Sequence, residues 1–196
     1  MAQTETAQLT PDAIREAFKT RGGRARDVAE ALGLREAQLV AAHIGQGTTA
    51  IAAHPDRLIP AIERLGTCMA LTRNASCVIE KDGVYSDYHP GEHAAMTLNP
   101  DIDMRLFPKH WVHGFLQEQE TETGIRRSVQ VFDAAGDAVH KTYLREGSDL
   151  AAWAALKADL ALPEQRDVLE VEDRTPPEGA KSDPSKRDLL LKEWRR

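Results

Sequence analysis

Disulfide-forming capacity is nearly absent from this chain of 196 residues, whose two cysteines are Cys68 and Cys77. Two thiols make no disulfide framework, so reduced, packed cysteines in neighbouring strands are expected, as in a cytosolic protein. Also missing is any continuous apolar run long enough to span a bilayer. The opening MAQTETAQLTP lacks the basic and apolar regions of a signal peptide. Positive charge is in deficit: the formal net charge is -6 and the pI about 5.7. Bulk electrostatics therefore do not favour nucleic acid or an anionic membrane, although a local basic site is still allowed. No P-loop, dinucleotide fingerprint, catalytic-serine motif or internal repeat occurs. These absences leave a cytoplasmic soluble protein, not inserted in a membrane, as the expectation.

Hydrophobic residues make up 41% of the chain, enough for one core rather than two. The first third, about 10–66, reads as helices. In LTPDAIREAFKTR, Thr10 is placed as N-cap and Pro11 at the first helical position. ARDVAEALGLREAQLVAAHIG gives two short helices, with Gly33 ending the first. HPDRLIPAIERLG supplies another, with Leu58, Ile59, Ile62 and Leu65 on one face and Gly66 at its end. From 68 to 144 the pattern turns to period two with turn punctuation. CMALTRN and CVIEK pair around Asn74, Ala75 and Ser76. Asp82-Gly83 signals a hairpin into VYSDY. AAMTL, DIDMRLF, VHGFLQEQE, IRRSVQVF and AVHKTYL complete a run of strands whose short connections favour an antiparallel meander. Ser148 is placed to cap a helix over about 148–162. The expected fold is α+β: N-terminal helices on a large antiparallel sheet, a C-terminal helix and a flexible tail. Residues 1–163 form the domain. The acidic, proline-bearing stretch from 164 reads as a linker, followed at DLLLKEWRR by the start of a further helix, as in a truncated chain.

Several stretches carry candidate chemistry. ARDVAEALGLREAQLVAA resembles a helix-turn-helix that would put Arg35, Glu36 and Gln38 at base edges, but an acidic whole and few cations on the second helix favour a helical hairpin capping the sheet. His110 and His113 form H-x-x-H, but on a strand they point to opposite faces, and no third ligand stands at metal-site spacing. His89, Glu92 and His93 lie in a Gly/Pro loop and read as solvated surface. Cys68 and Cys77 have no nucleophile-type neighbourhood. In DIDMRLF, alternation puts Ile102, Met104 and Leu106 on one face and Asp103, Arg105 and Phe107 on the other. Arg105 either pairs with Asp101 or Asp103 on an open face, or donates to a ligand that Phe107 contacts.

ARDVAEALGLREAQL, MALTRN, IDMRLF followed closely by Trp111, SVQVFDAAGDAVHKTYL and KEWRR resemble, in this order, the N-terminal half of the HemS/HmuS/ChuS heme-handling proteins. The similarity runs from about residue 20 to the C-terminus, and full-length members resemble tandem duplications about twice this length. It implies a cytoplasmic protein of bacterial heme-iron uptake that passes heme onward or supports its degradation, with a b-type heme between the halves. The arginine of D-x-R-x-F approaches the distal side of the heme, here Arg105, and the phenylalanine two residues on, here Phe107, lines the same pocket. Guanidinium can donate to an iron-bound water, and an aromatic edge packs on porphyrin. The family's proximal histidine lies beyond Arg196, so the metal ligand is unassigned. A histidine that some relatives carry after TRN is replaced by Ile79. His140, in a family-like VHK stretch, reads as structural. Implied partners are heme, an inner-membrane heme transporter, a downstream heme oxygenase, the missing C-terminal half, and a second copy in a homodimer that mimics that half. A DNA- or protein-binding regulatory module is the alternative from another class.

Overall fold

The computed structural model of the protein describes residues 9–74, 76–176, 178–179 and 181–195. The N-terminal lead to residue 8, Ala75 of the expected turn and Arg196 lie outside the described residues. Helix α1 (Pro11–Arg21) begins as expected, with the Thr10 hydroxyl accepting from the Ala13 amide. Helices α2 (Ala25–Ala31) and α3 (Glu36–Ala41) follow, separated by Gly33 at φ 70°. A short strand then interrupts the helical third: β1 (Thr48–Ile51), ahead of α4 (Pro55–Glu63).

Strands β2 (Cys68–Arg73) and β3 (Val78–Gly83) form the expected pair. The chain then leaves the main sheet for β4 (Tyr88–His89), β5 (Ala95–Leu98) and β6 (Asp103–Leu106), and returns for β7 (His113–Thr121), β8 (Gly124–Phe132) and β9 (Ala138–Leu144). Two antiparallel sheets result: six strands in the order β1-β7-β8-β9-β2-β3, and three in the order β4-β5-β6. The α+β class holds, with a large antiparallel sheet, while the single meander divides in two.

Asp82-Gly83 is not a hairpin turn. Gly83 is the last residue of β3, opposite Cys68. A Cβ there would sit 2.8 Å from the Asp101 Cβ and 3.0 Å from Ile102, so glycine is needed for the close approach of the segment entering β6. Asn99 fastens that segment. Its amide nitrogen donates to the carbonyls of Val84, Ser86 and Ile102, and its oxygen accepts from the amides of Asp101 and Ile102. The final helix α5 (Leu150–Leu160) is capped by Asp149 rather than Ser148: the carboxylate accepts from Ala151 and Ala152. The Ser148 hydroxyl instead donates to the Thr67 carbonyl and accepts from the Arg145 amide.

The period-two pattern assigns each sheet face its partner. Ala70, Leu116, Val129 and Val131 meet α4, the turn after it and α5 through Leu58, Ile62, Leu65, Trp153, Leu156 and Leu160 in the largest core cluster. On the opposite face, Phe115 and Phe132 pack against Ala37, Val40 and Ala41 of α3. Residues 164–176 adopt no helix or strand, yet they are tied to the body. Gln165 bonds both backbone groups of Ala50, the Leu169 carbonyl accepts from Gln38, and Arg174 pairs with Asp137. These polar bonds, with Leu169 packed on the α3 cluster, hold a segment that composition alone reads as loose. Helix α6 (Arg187–Trp194) forms where the amphipathic terminal pattern predicts a helix, with Trp194 exposed.

Candidate functional site

Between the small sheet and one face of the large sheet lies a cleft of about 630 Å³, within the roughly 300–1,000 Å³ usual for small-molecule sites. The large sheet supplies one wall: Ala70 and Thr72 from β2, Ile79 and Lys81 from β3, Val139 and His140 from β9. A β-bulge shapes that wall. Val131 pairs with His140 and Phe132 with Ala138, leaving Val139 as the extra residue; two consecutive β9 side chains thereby reach the cleft. The facing wall is Met104, Arg105 and Phe107, followed by a 3-10 turn (Pro108–His110) that brings in His110 and Trp111.

The alternation expected in DIDMRLF is realised. Ile102 and Leu106 are buried, whereas Asp103, Arg105 and Phe107 are exposed. Arg105 Nη1 donates to Asp103 Oδ1 at 2.8 Å with its side chain half exposed, an ion pair of a kind worth about 0.2–1 kcal/mol. It thus satisfies the local pairing and still borders the cleft. Lys81 stands across the rim, paired with Asp101 at 3.3 Å. Phe107 is 49% exposed and offers its ring to any flat ligand.

Under the cleft runs a polar chain with no obvious linear signal. Thr72 Oγ1 lies 2.9 Å from His140 Nδ1, the Tyr85 hydroxyl 2.8 Å from His140 Nε2, and Tyr85 again 2.8 Å from the Thr142 hydroxyl. Trp111 stacks over the imidazole with ring centroids 6.0 Å apart and planes at 19°. Burial pushes His140 down to about 4, so it is neutral at pH 7. Burial likewise pushes the Tyr85 phenol up. With both ring nitrogens engaged, His140 holds the floor together. Its register on β9, opposite Val131 and beside β2, is the feature that could have revealed Thr72 as its partner.

The remaining candidates scatter. His110 is exposed on the cleft rim, while His113 opens β7 half-buried, its imidazole pushed down by burial. His89 pairs with Asp87 in the exposed β4 region. Among the described residues no group of three or more His, Cys, Asp or Glu side chains could hold a metal ion. Cys68 is buried with its thiol pushed up by burial, and Cys77 is exposed just before β3.

The hairpin reading of ARDVAEALGLREAQLVAA holds, and its helix-turn-helix alternative finds no support. Its base-reading positions are spent internally: Glu36 is buried, accepting from Lys141 at 2.6 Å and from Arg73, and Gln38 bonds the Arg35 amide and the Leu169 carbonyl. Helix α3 packs on the sheet instead of presenting a face to DNA. Among the described residues no helix is long and apolar enough to cross a membrane.

Known proteins share this fold. Hemin transport protein HmuS of Yersinia pestis is 38% identical over 176 residues, 89% of this chain and 50% of HmuS. Hemin transport protein HemS of Yersinia enterocolitica is 38% identical over 144 residues, 73% of this chain and 42% of HemS. The chain thus spans about half the length of the curated relatives it matches. The crystal structure of holo-PhuS, a heme-binding protein from Pseudomonas aeruginosa, superposes with a TM-score of 0.81 at 34% identity, covering 94% of this chain and 59% of PhuS. The haemin-degrading HemS.ChuX domain matches residues 33–160, the stretch that carries the main sheet, the cleft and both of its walls, and it is to this family that the chain belongs.

Proposed function

We propose that the cleft is one wall of a heme site, and that the chain serves cytoplasmic bacterial heme uptake by holding a b-type heme against Arg105 and Phe107. The observation that supports this reading is the composition of the cleft. Ile79, Met104, Phe107, Trp111 and Val139 offer apolar and aromatic surface to a macrocycle, while Arg105 and Lys81 stand at the rim, where anionic propionates or an iron-bound water would find donors. Similarity to proteins named for hemin transport and heme binding supports the same assignment. The second face of the heme is covered from outside this chain, by the half that the longer relatives possess or by a second copy. The proximal ligand comes with that covering element. Heme arrives from an inner-membrane transporter and passes to a downstream heme oxygenase. Where degradation occurs instead, heme itself supplies the redox chemistry and the protein controls access.

Hemin titration followed by absorbance tests this, on the 196-residue chain and on a chain extended into the following half. The expected result is a saturable one-site change in the extended chain, with affinity or ferric spectrum altered by Arg105→Ala. Failure of both chains to bind, or an Arg105→Ala titration indistinguishable from wild type, refutes the assignment.

A further inference from the structure

The face of the main sheet away from the cleft holds a second cavity of about 510 Å³, roofed in part by Phe18 and the α1–α2 connection. In an acidic protein its lining is basic: Arg24, Arg26, Arg73, Arg126, Lys141 and Arg145 outnumber Asp27, Glu36 and Glu80. Lys141 and Arg73 share the single carboxylate of Glu36, with the Lys141 side chain only 6% exposed. Arg126 donates to the neutral Gln119 amide, and among the described residues neither it nor Arg24 has an ion pair. The bed of the cavity holds a second anomaly. Gln130 is 3% exposed, and its Nε2 donates to Gln117 Oε1 at 2.8 Å and Ser128 Oγ at 3.0 Å. Its Oε1 is buried and has no partner among the described residues. A buried acceptor left unpaired costs about 1–3 kcal/mol and calls for an occupant.

We infer that this cavity binds a small oxyanion that also carries a hydrogen-bond donor, a phosphorylated or carboxylated molecule whose anionic group meets Arg126 and the Lys141–Arg73 pair while its hydroxyl donates to Gln130 Oε1. The two requirements are independent, since cations alone would take any anion and the orphan acceptor selects one with a proton to give. Register brings these groups onto one face: Gln117 lies opposite Ser128, Gln130 opposite Lys141, and Leu71 opposite Lys141 on the other side. The flanking charge is consistent with the assignment: burial is what chiefly disfavours the protonated form of Lys141, Glu36 opposes that effect, and Arg73 and Arg126 add a smaller repulsion that a bound anion relieves.

Inorganic phosphate and sulfate form the decisive pair of probes. At neutral pH phosphate retains a hydroxyl and sulfate has none. Calorimetry on the 196-residue chain in a non-coordinating buffer of low ionic strength is expected to show saturable phosphate binding at least tenfold tighter than sulfate. Arg126→Gln weakens both at least tenfold, Gln130→Leu narrows the preference for phosphate, and Arg57→Gln, on α4 across the sheet, changes neither. Citrate, a hydroxy-carboxylate, separates phosphoryl from carboxylate ligands by competing or failing to compete with phosphate. No saturable phosphate isotherm, equal affinity for the two anions in the wild type, or insensitivity to Arg126→Gln overturns the inference. Arg126 is exposed at the cavity mouth, so its replacement keeps the test readable should Gln130→Leu fail to fold.

Discussion

Acidification between pH 6.5 and 4 is expected to weaken this fold through His140. The ring is buried, bonded to Thr72 and Tyr85 through its two nitrogens and stacked under Trp111. Burial lowers its folded-state value to about 4 from an unfolded 6.5. Above 6.5 the imidazole is neutral in both states and stability is intact. As pH falls below 6.5 the unfolded chain takes up a proton that the native protein refuses, so stability falls until the folded group also titrates near 4. At about 1.4 kcal/mol per pH unit, this gap is worth about 3 kcal/mol in all, with about 2 kcal/mol lost by pH 5. His43 and His113 are also lowered by burial and act in the same direction, so the measurement is a difference. Urea unfolding of wild type and His140→Gln between pH 7.5 and 4.5 reads it directly. Glutamine keeps an acceptor and a donor for Thr72 and Tyr85 but cannot charge. The variant should be less stable at pH 7.5, yet lose about 2 kcal/mol less on going to pH 5. Parallel pH profiles for the two proteins would refute the linkage.

Glu36→Gln removes the one carboxylate that, among the described residues, pairs with the buried Lys141. A loss of about 3–5 kcal/mol is expected, the usual cost of orphaning one member of a buried pair, and it shrinks as pH rises because Lys141, already lowered by burial, becomes neutral more readily; chemical denaturation at pH 7 and 9.5 checks both parts. Asn99→Ala cuts five side-chain bonds that fasten the entry to β6, at about 1 kcal/mol for each of the more buried ones. Amide exchange should show faster opening of Ala95–Leu106 while β7 to β9 keep their protection. Phe107→Ala, at a half-exposed ring, should shift thermal midpoint by no more than about 2 °C, given that surface changes stay near 0.5 kcal/mol, while weakening hemin binding in the extended chain; unchanged hemin affinity would remove Phe107 from the site.

Much of the sheet was legible because half-buried antiparallel strands advertise themselves by alternation. Leu116 and Val129 face one core while Gln117 and Gln130 face the other way, and the DIDMRLF assignment held for the same reason. Strand β1 escaped because TTAI shows no apolar–polar alternation, its last two residues both being apolar and buried. The signal that could have located it is a turn-forming Gly45-Gln46-Gly47 ahead of Thr48, both glycines having φ near 80°. Asp82-Gly83 misled because a glycine required for close packing against Asp101 and Ile102 looks, in sequence, like a glycine required for a turn. The cleft itself was only half legible. Its Arg105 wall is one contiguous segment, but the opposing wall joins β2, β3 and β9, and the bulge at Val139 that aims it breaks the very alternation by which strands are recognised.

The two borders of the six-stranded sheet have unequal fates. Along β1, the segment following α5 acts as a surrogate strand: the Gln165 amide bonds both backbone groups of Ala50, and Leu162 donates to the Ala50 carbonyl. Among the described residues strand β3 is bordered by no further strand of the main sheet, and it exposes Val78 and Ile79 ahead of Glu80, Lys81 and Asp82. Fibril growth by edge-to-edge addition needs an acceptor at each side of every unit. With one margin plugged, strand exchange between copies through β3 terminates at a pair, and the alternating charges next to Ile79 discourage even that.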